Sequence, residues 1–207
     1  MKKKTLPQIK AVIFDLGNVL LNYNAYKAAR QFAKTCCVPL LKIWIHFFTS
    51  PTEKSYTRGE ISSLEFYRHA KKALKFPVGY RTFRHYWNDI FWENAGMEPL
   101  LVRLKRHYPL YLISNTNQMH FDHVKKKFGL LRHFKRTFPS HLMGCRKPEA
   151  EIYQKVLQRI KLKPGETVFI DDMPKFVMGA RKVGMYAICF RSKAQLTRDL
   201  HRLGVKV

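Results

Sequence analysis

The chain has 207 residues, 46% of them hydrophobic, which supplies a full core for one domain with a modest insertion and excludes global disorder. Its 39 Lys and Arg against 14 Asp and Glu leave a net charge of +25, which favours anionic partners (phosphate esters, nucleic acid or a membrane surface) without choosing among them. The four cysteines, Cys36, Cys37, Cys145 and Cys189, lack both metal-finger spacing and the density of a disulfide framework, so reduced thiols in a cytoplasm are expected.

Lys2-Lys3-Lys4 ahead of Ala11-Val12-Ile13-Phe14 imitates a secretion signal, but Asp15 interrupts the apolar run and no small-residue cleavage site follows, so export is not expected. Residues 9 to 15 read instead as a strand that ends on a carboxylate. The apolar stretch Val38 to Phe48 contains Lys42 and His46 and is too short to span a bilayer; a packed helix is expected there, and no membrane contact. Ser50-Pro51-Thr52-Glu53 and Ser62-Ser63-Leu64-Glu65 both match a capping box, the first with proline at its opening helical position. With no convincing strand around them, residues 23 to 94 form a helical insertion able to act as a lid. In it, Arg58 of Arg58-Gly59-Glu60 is the best candidate for a substrate contact, because the glycine suggests a tight turn. Tyr56, Trp87 and Trp92 read as packing aromatics, and His46 and His85 as solvated.

Further along, strands are expected at 110 to 114, 136 to 138, 167 to 171 and 185 to 190. A helix from Gln118 to Phe128 is ended by Gly129, and a second runs from Glu149 to Ile160 with Ile152, Val156 and Leu157 on one stripe. Strands alternating with helices imply a parallel sheet covered on both faces. Lys125-Lys126-Lys127 is a short solvated run rather than a nucleic-acid element. Asp171 and Asp172 close the run Thr167-Val168-Phe169-Ile170 as Asp15 closes the first strand. Carboxylates at the ends of buried strands repel one another and lose hydration, so a fold that gathers them holds a divalent cation, and phosphate chemistry follows. An acidic N-terminus on a helix opened by Pro174 accounts for one of the pair, not both.

Four motifs stand in order: Phe14-Asp15-Leu16-Gly17-Asn18-Val19, Leu112-Ile113-Ser114-Asn115-Thr116-Asn117, Arg146-Lys147-Pro148 and Phe169-Ile170-Asp171-Asp172. The set resembles the haloacid dehalogenase superfamily, most of whose members are phosphatases, and Glu149-Ala150-Glu151-Ile152-Tyr153 and Ala180 to Met185 extend the resemblance over nearly the whole chain. It implies an α/β fold: a Rossmann-like parallel five-stranded sheet, order 5-4-1-2-3 for the five predicted strands, with core residues 1–22 and 95–207 and a helical cap at 23–94. It also implies that Asp15 attacks phosphorus to form a phosphoaspartate, and that Mg²⁺ sits on Asp15, the Gly17 carbonyl and Asp172, with Asp171 either behind these ligands or reaching the metal through water. Ser114 would offer its hydroxyl and Asn115 its backbone amide to the phosphoryl oxygens, while Lys147 neutralises developing charge.

The chain departs from the family at Gly17, where a second aspartate usually serves as general acid and base, a role commonly worth about a hundred- to ten-thousand-fold. A substrate with an easily departing alcohol suffers least. The wording of the first motif is similar to the branch containing glucose-1-phosphate phosphatases, so a sugar 1-phosphate is the expected small phosphorylated metabolite. His120, near the second motif, is a candidate to move protons in the missing residue's place. Two rival readings are a metal-independent 2-haloacid dehalogenase and an inactivated fold kept as a basic surface for nucleic acid or protein.

Overall fold

Successive side chains of the three central strands point to opposite faces of one sheet, and both faces are covered, which explains why these strands read as unbroken apolar runs. The computed structural model describes residues 7–75 and 77–207; the Lys2-Lys3-Lys4 run lies outside them. Strands β1 (Ala11–Phe14), β4 (Leu110–Ser114), β5 (Arg136–Pro139), β6 (Thr167–Asp171) and β7 (Tyr186–Cys189) form a parallel sheet in the order β5-β4-β1-β6-β7. With the strands renumbered as the five predicted runs, this is the order expected from the sequence. Val12, Phe14, Leu112, Val168 and Ile170 face one core, whereas Ala11, Ile13, Tyr111, Ile113 and Phe169 face the other.

The remaining strands, β2 (Leu21–Tyr23) and β3 (Phe91–Glu93), form a short antiparallel ribbon with Tyr23 opposite Phe91. This corrects the expectation of a strandless region: three-residue strands so far apart in the chain carry too little alternation to be seen. Between them lie the helices Ala25–Cys36, Leu40–Trp44, Pro51–Arg58, Ser63–Leu74 and Tyr80–Asn88, with a π-helical turn at Ile45–Thr49. Their apolar faces share one aromatic cluster that includes Phe32, Phe47, Tyr56, Phe66, Phe83 and Trp87. No helix among the described residues is long and apolar enough to cross a membrane.

The helix Pro51–Arg58 is the seam between this aromatic cluster and the sheet. Ser50 caps it by accepting from the Glu53 N–H, but the predicted reciprocal box is not closed, because the Glu53 carboxylate turns to Arg146 at 3.3 Å. Ser62 and Glu65 do close theirs. Arg58 pairs with Glu149 at 2.6 Å, and the buried Ser140 hydroxyl donates to the Thr57 carbonyl at 2.6 Å. Gly59 ends the helix at φ +76°, where a Cβ would lie 2.0 Å from the His141 carbonyl oxygen. The turn seen in the sequence at Gly59 therefore lets two backbones touch. Among the smaller corrections, the helix from Gln118 ends at Lys127, with Phe128 extended and Gly129 opening a 3-10 turn.

Gly59→Ala is expected to lower the unfolding free energy by about 2 kcal/mol or more, since left-handed strain and a backbone clash combine. Gly144→Ala, at φ +68° with open space around it, should lose only about 1 kcal/mol. Denaturant titration of the two variants checks the difference, and equal losses would show that the approach to His141 is unimportant.

Candidate active site

Parallel pairing places the acidic residues before any side-chain contact is considered. Phe14 lies beside Ile170 in the ladder and the Asp15 N–H continues it by donating to the Ile170 carbonyl at 2.8 Å, so Asp15 and Asp171 leave adjacent strands side by side. Ser114 ends β4 on the other side of β1. Ligand atoms of Asp15, Asp171 and Asp172 lie within 4.8 Å of one another.

Lys147 enters this cluster from below. Its side chain is fully buried, and the ammonium sits 2.7 Å from Asp15 Oδ1 and 2.6 Å from Asp171 Oδ2 and over the ring of Phe176 at 4.9 Å. Asn115 fixes its backbone: Oδ1 accepts from the Lys147 N–H at 2.8 Å and Nδ2 donates to its carbonyl at 2.9 Å. Asp171 is fully occupied, since its Oδ1 accepts from the Met173 N–H at 2.8 Å. Asp172 is held instead by Asn18, whose Nδ2 donates to Oδ2 at 3.1 Å from a left-handed backbone at φ 53°.

One ammonium cannot balance this much acid. Burial drives the Asp15 carboxyl up to about 7, with Lys147 opposing and Asp171 reinforcing the rise. Asp171 is also raised, by burial first, against the pull of Lys147. Burial alone would push the Lys147 ammonium down, but Asp15 and Asp171 together hold it above the usual lysine range. The site is thus a buried acidic cluster that offers carboxylate oxygens, the donors that hard divalent cations prefer.

These groups line one cavity of about 300 Å³ with residues from the segment between β2 and β3. Asp15, Gly17, Ser114, Asn115, Lys147 and Asp172 are all in its wall; Asp171 and Arg58 are not. Arg58 is a correction, because its guanidinium is used on Glu149 at the seam. Its neighbour in role is Arg146, which lines the cavity and donates to Thr57 Oγ1 at 2.9 Å as well as to Glu53. Sequence reasoning quoted Arg146 and Asn18 inside their motifs without giving either a task. Tyr23 was missed altogether: a Cβ on Gly17 would lie 2.9 Å from its Cε1, so the tyrosine ring fills the room an acidic side chain would need.

His120 does not stand in for that acid. Its Nδ1 accepts from Asn117 Nδ2 at 3.1 Å, its Nε2 donates to the Trp87 carbonyl at 2.9 Å, and its ring stacks on Trp87 at 4.9 Å. Burial lowers its pKa to about 4, so the ring is neutral and both nitrogens are engaged. Because the unfolded imidazole, near 6.5, takes up a proton before the folded one, this contribution to stability is complete above pH 6.5 and is lost as pH falls toward 4. Between about pH 7.5 and pH 5 the unfolding free energy of the wild type should fall by roughly 1 to 2 kcal/mol more than that of His120→Gln. Urea titrations at the two pH values measure this, and parallel losses would remove His120 as the source.

Known proteins resemble this chain in sequence and fold. The sequence is 27% identical over 197 residues to the sesquiterpene phosphatase astK of Aspergillus oryzae, covering 94% of this chain and 96% of that protein. It is 23% identical to a D-ribitol-5-phosphate phosphatase of Bacteroides thetaiotaomicron, over 79% of this chain and 83% of the relative. The crystal structure of a HAD family enzyme from Bacteroides thetaiotaomicron, in complex with magnesium and inorganic phosphate, superposes with a TM-score of 0.82 at 27% identity, over 91% of this chain and 98% of that one. The haloacid dehalogenase-like hydrolase profile matches residues 9–184, which takes in the acidic edge, the segment between β2 and β3 and four of the five sheet strands. The chain belongs to the haloacid dehalogenase-like hydrolase family.

Proposed function

We propose that this chain is a Mg²⁺-dependent phosphatase that hydrolyses a small phosphorylated metabolite through a phosphoaspartate on Asp15. The observation that carries the reading is the convergence of Asp15, Asp171 and Asp172 at the carboxyl edge of the sheet, with the buried Lys147 ammonium paired to the first two. Asp15, Asp172 and the Gly17 carbonyl would hold the cation, with Asp171, already bonded to Lys147 and the Met173 N–H, acting through water. Bound there, Mg²⁺ supplies charge neutralisation for phosphoryl oxygens. The crystal structure of the Bacteroides relative in complex with magnesium and inorganic phosphate supports a magnesium-dependent phosphatase reading. The metal-independent dehalogenase reading fits poorly, because it would leave Asp172 beside the attacking carboxylate with no cation of its own.

In this reading Asp15 attacks phosphorus in line, the P–O bond to the alcohol breaks, and water then releases phosphate and restores the carboxylate. The Ser114 hydroxyl and the Asn115 backbone amide bind phosphoryl oxygens while Lys147 balances the charge that builds between them. Residues 23–94 act as the cap that excludes water over the site. Since Gly17 offers no acid, the departing oxygen must leave as an easily formed anion; a sugar 1-phosphate is one substrate of that kind, and a phosphomutase is not supported.

Phosphate release from p-nitrophenyl phosphate tests the proposal. Turnover is expected with Mg²⁺ and not with a chelator, and Asp15→Asn should lower kcat by about 10⁴-fold or more. Metal-independent turnover, or an Asp15→Asn variant with wild-type rates, would contradict it.

A further inference from the structure

We infer that the cavity selects phosphate esters whose leaving group is a flat aromatic alcohol, an aryl phosphate, over polyhydroxylated ones such as a sugar 1-phosphate. The inference rests on the phosphatase reading above and names its substrate class. Nine residues of the segment between Leu21 and Glu93 line the cavity, and seven of them are aromatic or aliphatic, among them Tyr23, Phe47, Phe48, Ile90 and Phe91. Of its polar groups Glu53 and Thr57 are both taken by Arg146, leaving the Tyr23 hydroxyl, and outside this segment the lining adds Lys175, which lies over the Phe176 ring. Trp87 spends its indole N–H on Asn117 Oδ1 at 3.4 Å, and His120 has no free ring nitrogen. A sugar would therefore bring hydroxyls into a wall with few unpaired partners, and each buried hydroxyl left without one weakens binding. A planar hydrocarbon meets no such obstacle. Phe48 lies parallel to Trp87 at 5.7 Å and 12°, and Trp87 parallel to His120 at 4.9 Å and 11°, so the wall is itself a stack of flat rings.

The leaving-group chemistry points the same way. Gly17 carries no carboxyl and the Tyr23 ring lies beside it, so this position supplies no carboxylic acid to a departing oxygen. A phenol leaves as a stabilised phenolate, whereas an ordinary alcohol requires a proton. Apolar walls and an absent acid are separate observations, and an aryl ester satisfies both.

The test uses the full chain with Mg²⁺ and three probes: 2-naphthyl phosphate, benzyl phosphate and glucose 1-phosphate. Both aromatic esters should show a KM about tenfold or more below that of glucose 1-phosphate. For 2-naphthyl phosphate kcat should exceed that of benzyl phosphate by about a hundredfold, because only its alcohol departs unassisted. Phe48→Ser should raise KM for the aromatic esters about tenfold, several times more than it raises KM for glucose 1-phosphate. A glucose 1-phosphate KM equal to or below the aromatic ones overturns the assignment, as does benzyl phosphate turning over as fast as 2-naphthyl phosphate, or Phe48→Ser raising all three KM values alike. If p-nitrophenyl phosphate is hydrolysed with Mg²⁺ while these ratios fail, the substrate class is wrong and the phosphatase reading stands.

Discussion

The ammonium of Lys147, buried between Asp15 and Asp171 at 2.7 and 2.6 Å, is the interaction on which the site depends. Removing charges from water costs several kcal/mol per ion, so a buried lysine is tolerated only where anions surround it closely. Here two carboxylates share one cation with a third close by on Asn18, and burial makes Asp15 and Asp171 both harder to ionise than usual. That imbalance is a reason for a divalent cation rather than a defect of packing. Catalytic sites in general are places where such tension is kept because the reaction relieves it.

The architecture delivers this tension with few degrees of freedom. Strand register sets Asp15 beside Asp171, Asn115 grips both backbone groups of Lys147, and Asn18 holds Asp172. The segment between β2 and β3 is fastened to the same edge through Arg146 with Glu53 and Thr57, Ser140 with the Thr57 carbonyl, and the Gly59 contact with His141. Arg146 and Lys147 are neighbours in sequence, so one turn of chain serves both the seam and the acidic cluster. The covering helices and the charged floor are mechanically joined.

How much of this could be read beforehand follows the range of the forces involved. The sheet order and the acid-terminated strands were legible, because buried parallel strands write continuous apolar runs and a carboxylate at the end of one is conspicuous. Lys147 was legible only through its motif; nothing in Arg146-Lys147-Pro148 by itself says that the lysine is buried. Arg58 was misread because a positive-φ glycine beside it announces a turn but not what the turn touches. The β2-β3 ribbon was invisible, since it arises from contacts between residues about seventy positions apart, and nothing in the sequence shows that the Tyr23 ring turns back onto Gly17, six residues earlier. His120 was a reasonable proton carrier by position, and became a structural one because Trp87 and Asn117 reach it from different elements.

Gly17 ties the account together, for the side chain it lacks is replaced by an aromatic wall rather than by another acid. The acidic edge, with Asp15, Asp171 and Asp172 gathered together, is suited to a divalent cation. Calorimetric titration of the protein with Mg²⁺ tests this most directly. One equivalent should bind per chain, and Asp172→Asn should abolish binding while the fold persists. Failure of the wild-type chain to bind Mg²⁺ at millimolar concentrations, or undiminished binding by Asp172→Asn, would contradict it.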